Sequence, residues 1–284
     1  MGAYPKGFIP DLRRLQPWPS LGDSLWRNPD LVRLTYSELA RLVQACVGSQ
    51  PCRILYIGPG LGHIALELAR AGHDVIGVDI DEEAIALAEH AAETDPFREE
   101  RGPLSYQVAE FPGEFNGGES FDRVLFCRVL HHITDPTAAV AKAAELLGRG
   151  GQVVCVDFAH DRLGAAGARW MARSRMWLSR SGWWPGSVAG SLQKETERTA
   201  DEWRADHEGE GLNPFKAMIH PLRNEFSLQP PLWHPYLFWD LAADMRAPAD
   251  QEGAVALRLR GEEAGLLRER RLQGVLFSTT GRRR

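Results

Sequence analysis

The stretch from Arg53 to Asp81 constrains the fold more than any other part of the chain. A short aliphatic strand runs into three glycines at alternate positions, Gly58, Gly60 and Gly62, and a helical pattern begins directly after them. Glycine adopts backbone angles closed to other residues and lets a ligand approach the main chain closely. A second strand ends in Asp79, 21 residues after Gly58, at a distance typical of an acid that bonds the hydroxyls of a ribose. The stretch therefore predicts a strand, turn, helix and strand that bind a nucleoside cofactor.

Strands alternate with helices over the first 160 residues. The third strand is predicted from Leu104 to Ala109, the fourth from Phe121 to Cys127 and the fifth from Gln152 to Phe158. The fourth strand is nearly continuously apolar, as expected of a parallel strand that is covered on both faces. Asp81 and the pair Asp135-Pro136 are expected to begin helices. This alternation predicts an α/β fold with a doubly wound parallel sheet.

The composition changes after Asp161, because seven of the nine tryptophans follow it. Two helical stretches, Ala165 to Leu178 and Leu192 to His207, predict a helical insertion after the fifth strand. A strand from Phe226 to Leu228 and a last strand from Leu272 to Ser278 are expected to complete the sheet.

These elements predict four parts of the chain. They are an N-terminal arm and helix over 1–50, a cofactor-binding core over 51–160, a substrate-covering insertion over 161–221 and a C-terminal part over 222–284 that completes the sheet.

Composition and charge disfavour several classes of protein. The net charge of the 284 residues is −5, whereas a nucleic-acid binder is rewarded for clustered Lys and Arg. The four cysteines form no Cys-x-x-Cys pair, so neither a metal site nor a disulfide is implied. No apolar run approaches the roughly 20 residues of a membrane helix, and no signal peptide is visible. We therefore expect a cytoplasmic protein with a small-molecule partner, and without nucleic-acid or membrane partners.

Four motifs, taken together in this order, resemble the class I S-adenosylmethionine-dependent methyltransferases. They are Ile-Gly-Pro-Gly-Leu-Gly at 57–62, Gly-Val-Asp at 77–79, the segment from Phe121 to Pro136, and Gly-Gly-Gln-Val-Val at 150–154. The resemblance implies a Rossmann-like, seven-stranded sheet whose last strand is antiparallel. It also implies S-adenosylmethionine as cofactor and methyl transfer to the oxygen or nitrogen of a small, partly apolar or aromatic molecule.

The resemblance also implies which residues bind the cofactor, and two positions depart from the family. The family usually carries an acid where this chain has Tyr56, and usually a Gly-Asp pair after the third strand, for which Glu110 is the substitute here. The residues expected at the cofactor are Tyr56, Gly58, Pro59, Gly60, Asp79, Ile80, Glu110, Cys127 and Arg128.

A base is needed only if the acceptor holds a proton at neutral pH. The candidates for a base or an acceptor-orienting group are His132, Asp157 and His160; His132 belongs to a His-His pair that is often structural in the family. Asp157 and His160 lie at the end of the fifth strand, which borders the acceptor site. A helix start capped by Asp161 beside a solvated His160 explains the pattern equally well. Trp183 and Trp184, in a glycine and proline loop, are expected to form a lid or a hydrophobic contact. The residues expected to line the acceptor cavity are Trp203, His207, Trp233, His234, Tyr236 and Trp239. A homodimer would form through the N-terminal arm or the aromatic loop.

Two rival functions share parts of this pattern. A nicotinamide-dependent oxidoreductase also has the strand, glycine turn and acid, but its motif requires glycine where this chain has His63, and it leaves the Phe121 to Pro136 segment unexplained. A cofactor-binding scaffold that has lost transfer activity is the other rival, and the missing acid at Tyr56 favours it.

Overall fold

The computed structural model describes residues 25–115 and 120–283, so most of the predicted N-terminal arm lies outside the described residues. Within these ranges eight strands form one sheet. They are β1 (Arg53–Ile57), β2 (Asp74–Asp79), β3 (Leu104–Val108), β4 (Phe121–Cys127), β5 (Leu147–Phe158), β6 (Phe226–Leu228), β7 (Leu232–His234) and β8 (Leu276–Arg283).

Ten α-helices lie in the same described ranges. They are α1 (Pro29–Leu34), α2 (Tyr36–Val47), α3 (His63–Arg70), α4 (Glu82–Glu93), α5 (Pro136–Leu146), α6 (Ala165–Arg180), α7 (Leu192–Glu208), α8 (Phe215–Glu225), α9 (Leu237–Asp244) and α10 (Ala249–Arg268). The predicted N-caps form: Asp81 accepts a hydrogen bond from the Ala84 N–H, and Asp135 accepts from the N–H groups of Thr137 and Ala138.

The strand order is β3–β2–β1–β4–β5–β8–β6, with β7 also paired to β8. Strands β1 to β5 run parallel, and β8 runs antiparallel to β5. Strands β6 and β7 pair with successive halves of β8, and Pro230-Pro231 interrupts them because proline lacks the N–H needed by a strand ladder. They therefore share one position, and the predicted doubly wound, seven-position sheet with an antiparallel last strand is confirmed.

The last strand lies further along the chain than the sequence predicted. It covers Leu276–Arg283 rather than Leu272 to Ser278, because backbone pairing with both neighbours extends it through polar residues. Thr279 is buried there, and its hydroxyl donates to the Gln229 carbonyl at 2.7 Å. Gly281 admits β6, since a Cβ at this position would lie 2.6 Å from the Leu228 side chain. Alternating apolar residues alone do not reveal such a strand end.

Helices cover the sheet on both faces. Along β1 the side chains alternate, so Ile54 and Tyr56 enter the apolar layer with α2, α3 and α9, whereas Leu55 and Ile57 enter the layer with α5 and α8. Helix α8 packs on α5, and the predicted insertion helices α6 and α7 pack on each other, with α6 also against α9. The division of the chain into four parts stays a prediction.

Candidate active site

The glycine loop after β1 requires glycine at several positions. Gly58, Gly60 and Gly62 have φ angles of 69°, 52° and 75°, in the left-handed region that other residues avoid. A Cβ on Gly58 would lie 2.3 Å from Val129 Cγ2, whereas a Cβ on Gly60 would meet nothing within 4 Å. The loop is therefore packed tightly on one side and open at Gly60.

The carboxylate of Asp79 connects this loop to the end of β2. Its Oδ2 accepts a hydrogen bond from the Gly60 N–H at 2.9 Å, and its Oδ1 accepts from the Asp81 N–H at 3.1 Å. Each carboxylate oxygen can accept about two hydrogen bonds, so both retain capacity for hydroxyls of a ligand. The two acids therefore have different structural roles, since Asp81 caps α4 and Asp79 binds the glycine loop.

A cavity of about 400 Å³ opens at the carboxyl ends of the first four strands. This is the edge at which parallel α/β sheets bind ligands. Five residues predicted from the sequence line it: Gly58, Asp79, Ile80, Glu110 and His132. Ile80 is 71% exposed, and it extends the apolar surface at the cavity mouth. The other lining residues are Ile57, Val78, Ala109, Phe111, Pro112, Val129, Ile133, Thr134 and Asp135.

Tyr56 and Cys127 lie in the apolar layer on the α2 and α3 side of the sheet rather than in the cavity lining. Tyr56 is 2% exposed and bonds the Cys127 thiol, and burial raises the pKa of the tyrosine hydroxyl. Burial also raises the pKa of Cys127 to about 12, so the thiol stays protonated and is a poor nucleophile at neutral pH. A neutral pair of side chains therefore replaces the acid that the family usually carries here. Pro59 is buried beside Gly77, where it shapes the loop.

Arg128 follows β4 with a φ of 55°, which is uncommon for a residue with a Cβ. Its guanidinium carbon lies over the ring faces of Trp239, at 5.2 Å from the centroid, and Tyr236, at 5.7 Å. The side chain therefore contacts α9 and its N-cap, while the next residue, Val129, lines the cavity.

Asp157 pairs with the first histidine of the His-His turn. Asp157 is fully buried, and its Oδ1 lies 2.5 Å from His131 Nδ1. The carboxylate also accepts hydrogen bonds from the N–H groups of Leu130 and Phe158, both at 2.7 Å. The His131 ring lies 4.1 Å from that of His132, measured between centroids. Sequence reasoning named Asp157 and His132 as candidates but did not select His131, which connects them.

The structure separates the three predicted catalytic candidates into two places. His132 lines the cavity, and burial, followed by the neighbouring His131, lowers its pKa. His160 lies in a short 3₁₀ helix after β5, stacked on His207 at 5.9 Å, with its pKa also lowered by burial. Both imidazoles are therefore neutral at pH 7 and able to accept a proton.

Asn213, which no sequence motif revealed, holds the His-His turn in place. Its side-chain amide donates to the carbonyls of Ile133 at 2.6 Å and Leu130 at 3.2 Å, and its backbone N–H donates to the His131 carbonyl at 2.7 Å. It precedes α8 by two residues, and only the folded chain brings it to the turn.

The aromatic residues expected to line an acceptor cavity divide into two groups. Trp203, His207 and Tyr236 surround Phe158 at the end of β5, with centroid distances of 5.2 Å for His207 and 4.8 Å for Tyr236. Trp233 instead packs on Phe215, and His234 Nε2 lies 2.8 Å from the Ser278 hydroxyl, both away from this group. Trp183, at the predicted lid, contacts Trp177 of α6.

The described ranges hold neither a candidate metal cluster nor a candidate membrane-spanning helix. Among residues 25–115 and 120–283 no group of three or more His, Cys, Asp or Glu side chains is arranged to hold a metal ion. None of the helices in these ranges has both the length and the apolarity to cross a membrane.

Comparison with known sequences finds methyltransferases. A family described as a methyltransferase domain matches residues 55–155. The ubiquinone biosynthesis O-methyltransferase of Cereibacter sphaeroides is 32% identical over 147 residues, which are 50% of this chain and 56% of that protein. The enzyme of the same name from a Ruegeria species is 31% identical over 182 residues, which are 64% of this chain and 66% of that protein. The chain thus spans less than two thirds of the length of either relative.

Comparison of structures finds the same fold. The N-methyltransferase NodS from Bradyrhizobium japonicum, solved with S-adenosyl-L-homocysteine, superposes with a TM-score of 0.51. The superposition covers 94% of this chain and 97% of NodS at 14% sequence identity. At this identity the likeness concerns the fold alone.

Proposed function

Because the chain belongs to the class I S-adenosylmethionine-dependent methyltransferases, we propose that it transfers a methyl group to the oxygen of a small, partly apolar or aromatic molecule. Transfer to nitrogen is the variant of this proposal. The main structural support for the proposal is the hydrogen bond from the Gly60 N–H to Asp79, beside a cavity of about 400 Å³ that Asp79 lines. The names of the two sequence relatives support oxygen as the methyl acceptor.

The residues around the cavity fit the nucleoside part of the cofactor. Asp79 has unused acceptor capacity for ribose hydroxyls, Glu110 offers a carboxylate for the adenine amino group, and Ile80 offers an apolar face for the ring. Gly58 and Gly60 let the cofactor approach the backbone, with Pro59 between them. The backbone at Cys127 and Arg128 completes the set, whereas the Tyr56 side chain contributes by packing.

S-adenosylmethionine supplies the reaction with a methyl group on a positively charged sulfur. The protein has to hold the acceptor oxygen in line with that methyl group and to exclude water. A phenol keeps its proton at neutral pH, so a base beside the acceptor accelerates transfer. We propose His132 as this base, because it lines the cavity and is neutral.

Asp157 and His131 form the support behind His132 in this proposal. The Asp157 carboxylate accepts a hydrogen bond from His131 Nδ1. The backbone N–H groups of Leu130 and Phe158 donate to the same carboxylate and fix its position. Asp157 is therefore a positioning residue, and His160 is the second candidate base, on the side of α7.

The experiment uses the full chain and two readouts. Calorimetry measures binding of S-adenosylhomocysteine, and transfer of labelled methyl from S-adenosylmethionine is measured on matched catechols and anilines. We expect micromolar binding and label on the catechol. His132→Gln should flatten the acid limb of the rate profile, because the pKa of this histidine is lowered, and should keep cofactor affinity. His220→Gln, at an exposed histidine of α8 outside the cavity lining, is the matched control, and His160→Gln tests the second candidate base.

A protein without cofactor binding would refute the proposal as a whole. A protein that binds S-adenosylhomocysteine but labels neither class of acceptor would instead favour the second candidate function, a cofactor-binding protein without transfer activity. Tyr56, buried where the family usually carries an acid, is the observation that favours this alternative. A nicotinamide-dependent oxidoreductase is disfavoured, since His63 packs edge-on against Tyr36 at the motif position that requires glycine.

A further inference from the structure

A cluster of aromatic side chains surrounds the guanidinium of Arg128, whose neighbour in sequence, Val129, lines the cavity. We call it the Arg128 box, and it consists of Tyr36, His63, Arg128, Tyr236 and Trp239. Tyr36 lies 4.7 Å from His63 and 5.3 Å from Trp239, and Tyr236 stacks on Trp239 at 5.2 Å, all between ring centroids. Three rings and an imidazole therefore enclose one guanidinium.

No ion-paired acid accompanies the cation in this box within the part of the chain that the structure describes. No carboxylate in residues 25–115 or 120–283 forms an ion pair with Arg128, and its buried Nε has no hydrogen-bond partner. Its polar contacts are with two neutral hydroxyls, Tyr36 and Tyr236, the latter at 3.5 Å. Cations removed from water are normally paired with an anion because desolvation is costly. The described residues therefore leave the Nε donor of Arg128 without an acceptor.

A second buried polar atom in the box also lacks a partner. His63 Nε2 is buried without a hydrogen bond, and burial lowers the pKa of this imidazole to about 3, which keeps it neutral. His63 directly follows Gly62, so the box adjoins the far end of the glycine loop. Two unsatisfied nitrogens, from two different elements, thus converge on one aromatic cluster beside the cofactor loop.

The box and the cavity share a short backbone segment. Val129 touches Gly58 and lines the cavity, whereas Arg128 directs its guanidinium into the box. The box therefore adjoins the proposed cofactor site. S-adenosylmethionine balances its own carboxylate with its own ammonium, so an anion from another molecule would pair with the guanidinium.

We propose that the Arg128 box binds the carboxylate of the methyl acceptor, which is an acidic molecule with a flat aromatic ring. This inference rests on the proposed function and names its substrate class. The planar guanidinium forms charge-assisted hydrogen bonds with a carboxylate, and the flanking rings offer faces for an aromatic ligand. The anion on the acceptor also offsets the positive charge of the guanidinium.

The experiment compares 3,4-dihydroxybenzoate with its neutral isostere 3,4-dihydroxybenzamide, in the presence of saturating S-adenosylhomocysteine. We expect the wild type to bind the acid about tenfold or more tightly than the amide, a difference typical of one charge-assisted contact. Arg128→Gln should abolish this preference, and Arg128→Lys, which keeps the charge but not the fork, should retain part of it. Thermal unfolding of each variant reports whether it is folded.

The matched control is Arg258→Gln, which removes another guanidinium stacked on an indole, 4.3 Å from the Trp177 centroid. It should leave the acid preference unchanged. For the wild type and Arg128→Gln we also compare the affinity for S-adenosylhomocysteine with that for 5′-methylthioadenosine, which lacks the amino-acid end of the cofactor. A wild type that does not prefer the acid overturns the inference, as does a folded Arg128→Gln that keeps the preference. A folded Arg128→Gln that loses affinity for S-adenosylhomocysteine but not for 5′-methylthioadenosine also overturns the inference, because Arg128 then binds the cofactor's carboxylate. Failure of the wild type to bind any cofactor would instead refute the proposed function.

Discussion

Replacing Asp79 by alanine is the most direct test of the proposed cofactor site. The carboxylate accepts the Gly60 N–H at 2.9 Å and the Asp81 N–H at 3.1 Å, and it has acceptor capacity left for two ribose hydroxyls. In the proposed site, Asp79→Ala removes the partner of the ribose and also releases the glycine loop from its bond at Gly60. We therefore expect loss of affinity to exceed loss of stability.

The magnitude follows from the number of bonds. A hydrogen bond to a charged group contributes about 1.5–3 kcal/mol, so loss of two ribose bonds costs at least about 3 kcal/mol. Since about 1.4 kcal/mol corresponds to a tenfold change in affinity, S-adenosylhomocysteine should bind about 100-fold more weakly. Asp79→Asn should show a smaller loss, because the amide oxygen still accepts a hydrogen bond while the charge is gone. Isothermal titration calorimetry measures both.

Asp81→Ala is the matched control. Asp81 lies two residues away and caps α4 through the Ala84 N–H, so its loss should cost about 1 kcal/mol of stability. Cofactor affinity should change by less than about twofold, well below the effect of one lost hydrogen bond. Wild-type affinity in a folded Asp79→Ala, or an equal loss in Asp81→Ala, would refute the assignment of Asp79 to the ribose.

Three further predictions concern the loop, the fold and the His-His turn. Gly58→Ala should lower the free energy of unfolding by at least about 2 kcal/mol, because its Cβ would clash with Val129 at 2.3 Å. Gly150→Ala has a similar φ of 80° but open space around the new Cβ, so it should lower that free energy by only about 1 kcal/mol. Urea denaturation measures both. Burial raises the pKa of Glu263 to about 7, so stability should fall by about 2 kcal/mol from pH 5 to 7 as the buried group ionises, and Glu263→Gln should flatten that dependence in urea titrations. Asn213→Ala should cost about 1–3 kcal/mol by leaving two carbonyls unpaired, and should reduce methyl transfer more than cofactor affinity, measured by labelled transfer and calorimetry. Equal urea midpoints for the two glycine variants, unchanged pH dependence in Glu263→Gln, or parallel losses of transfer and affinity in Asn213→Ala would contradict these expectations.

Much of the fold could be read from the sequence because local patterns encode it. The fourth strand was predicted with its observed bounds, Phe121–Cys127, since a parallel strand buried on both faces is continuously apolar. The last strand was displaced in the prediction, because its outer half is polar and owes its conformation to pairing with β5 and β6. Strand ends of this kind depend on partners that are remote in sequence.

The candidate site could be predicted from the sequence to a similar extent. Asp79 and the glycine loop were predictable because they lie at fixed spacings within one strand, turn, helix and strand. The Asp157–His131 pair was missed, since 26 residues separate its members and neighbouring histidines are equivalent in a sequence pattern. Asn213 was missed for the same reason, as its contacts lie about 80 residues earlier in the chain.

The sequence by itself determined the parallel sheet, its glycine loop and the acid after β2, because strand periodicity, turn chemistry and short-range spacing are local properties. Only the tertiary structure decided that Tyr56 bonds Cys127 and that Asp157 holds His131 rather than His132. It also decided that Arg128 enters an aromatic box in which none of the described acids forms an ion pair with it. These outcomes depend on the direction in which each side chain leaves its strand or turn. They also depend on which distant element, α2 or α9 above all, packs against it. Long-range packing of this kind sets the local charge and burial, and with them the chemistry that the site can perform.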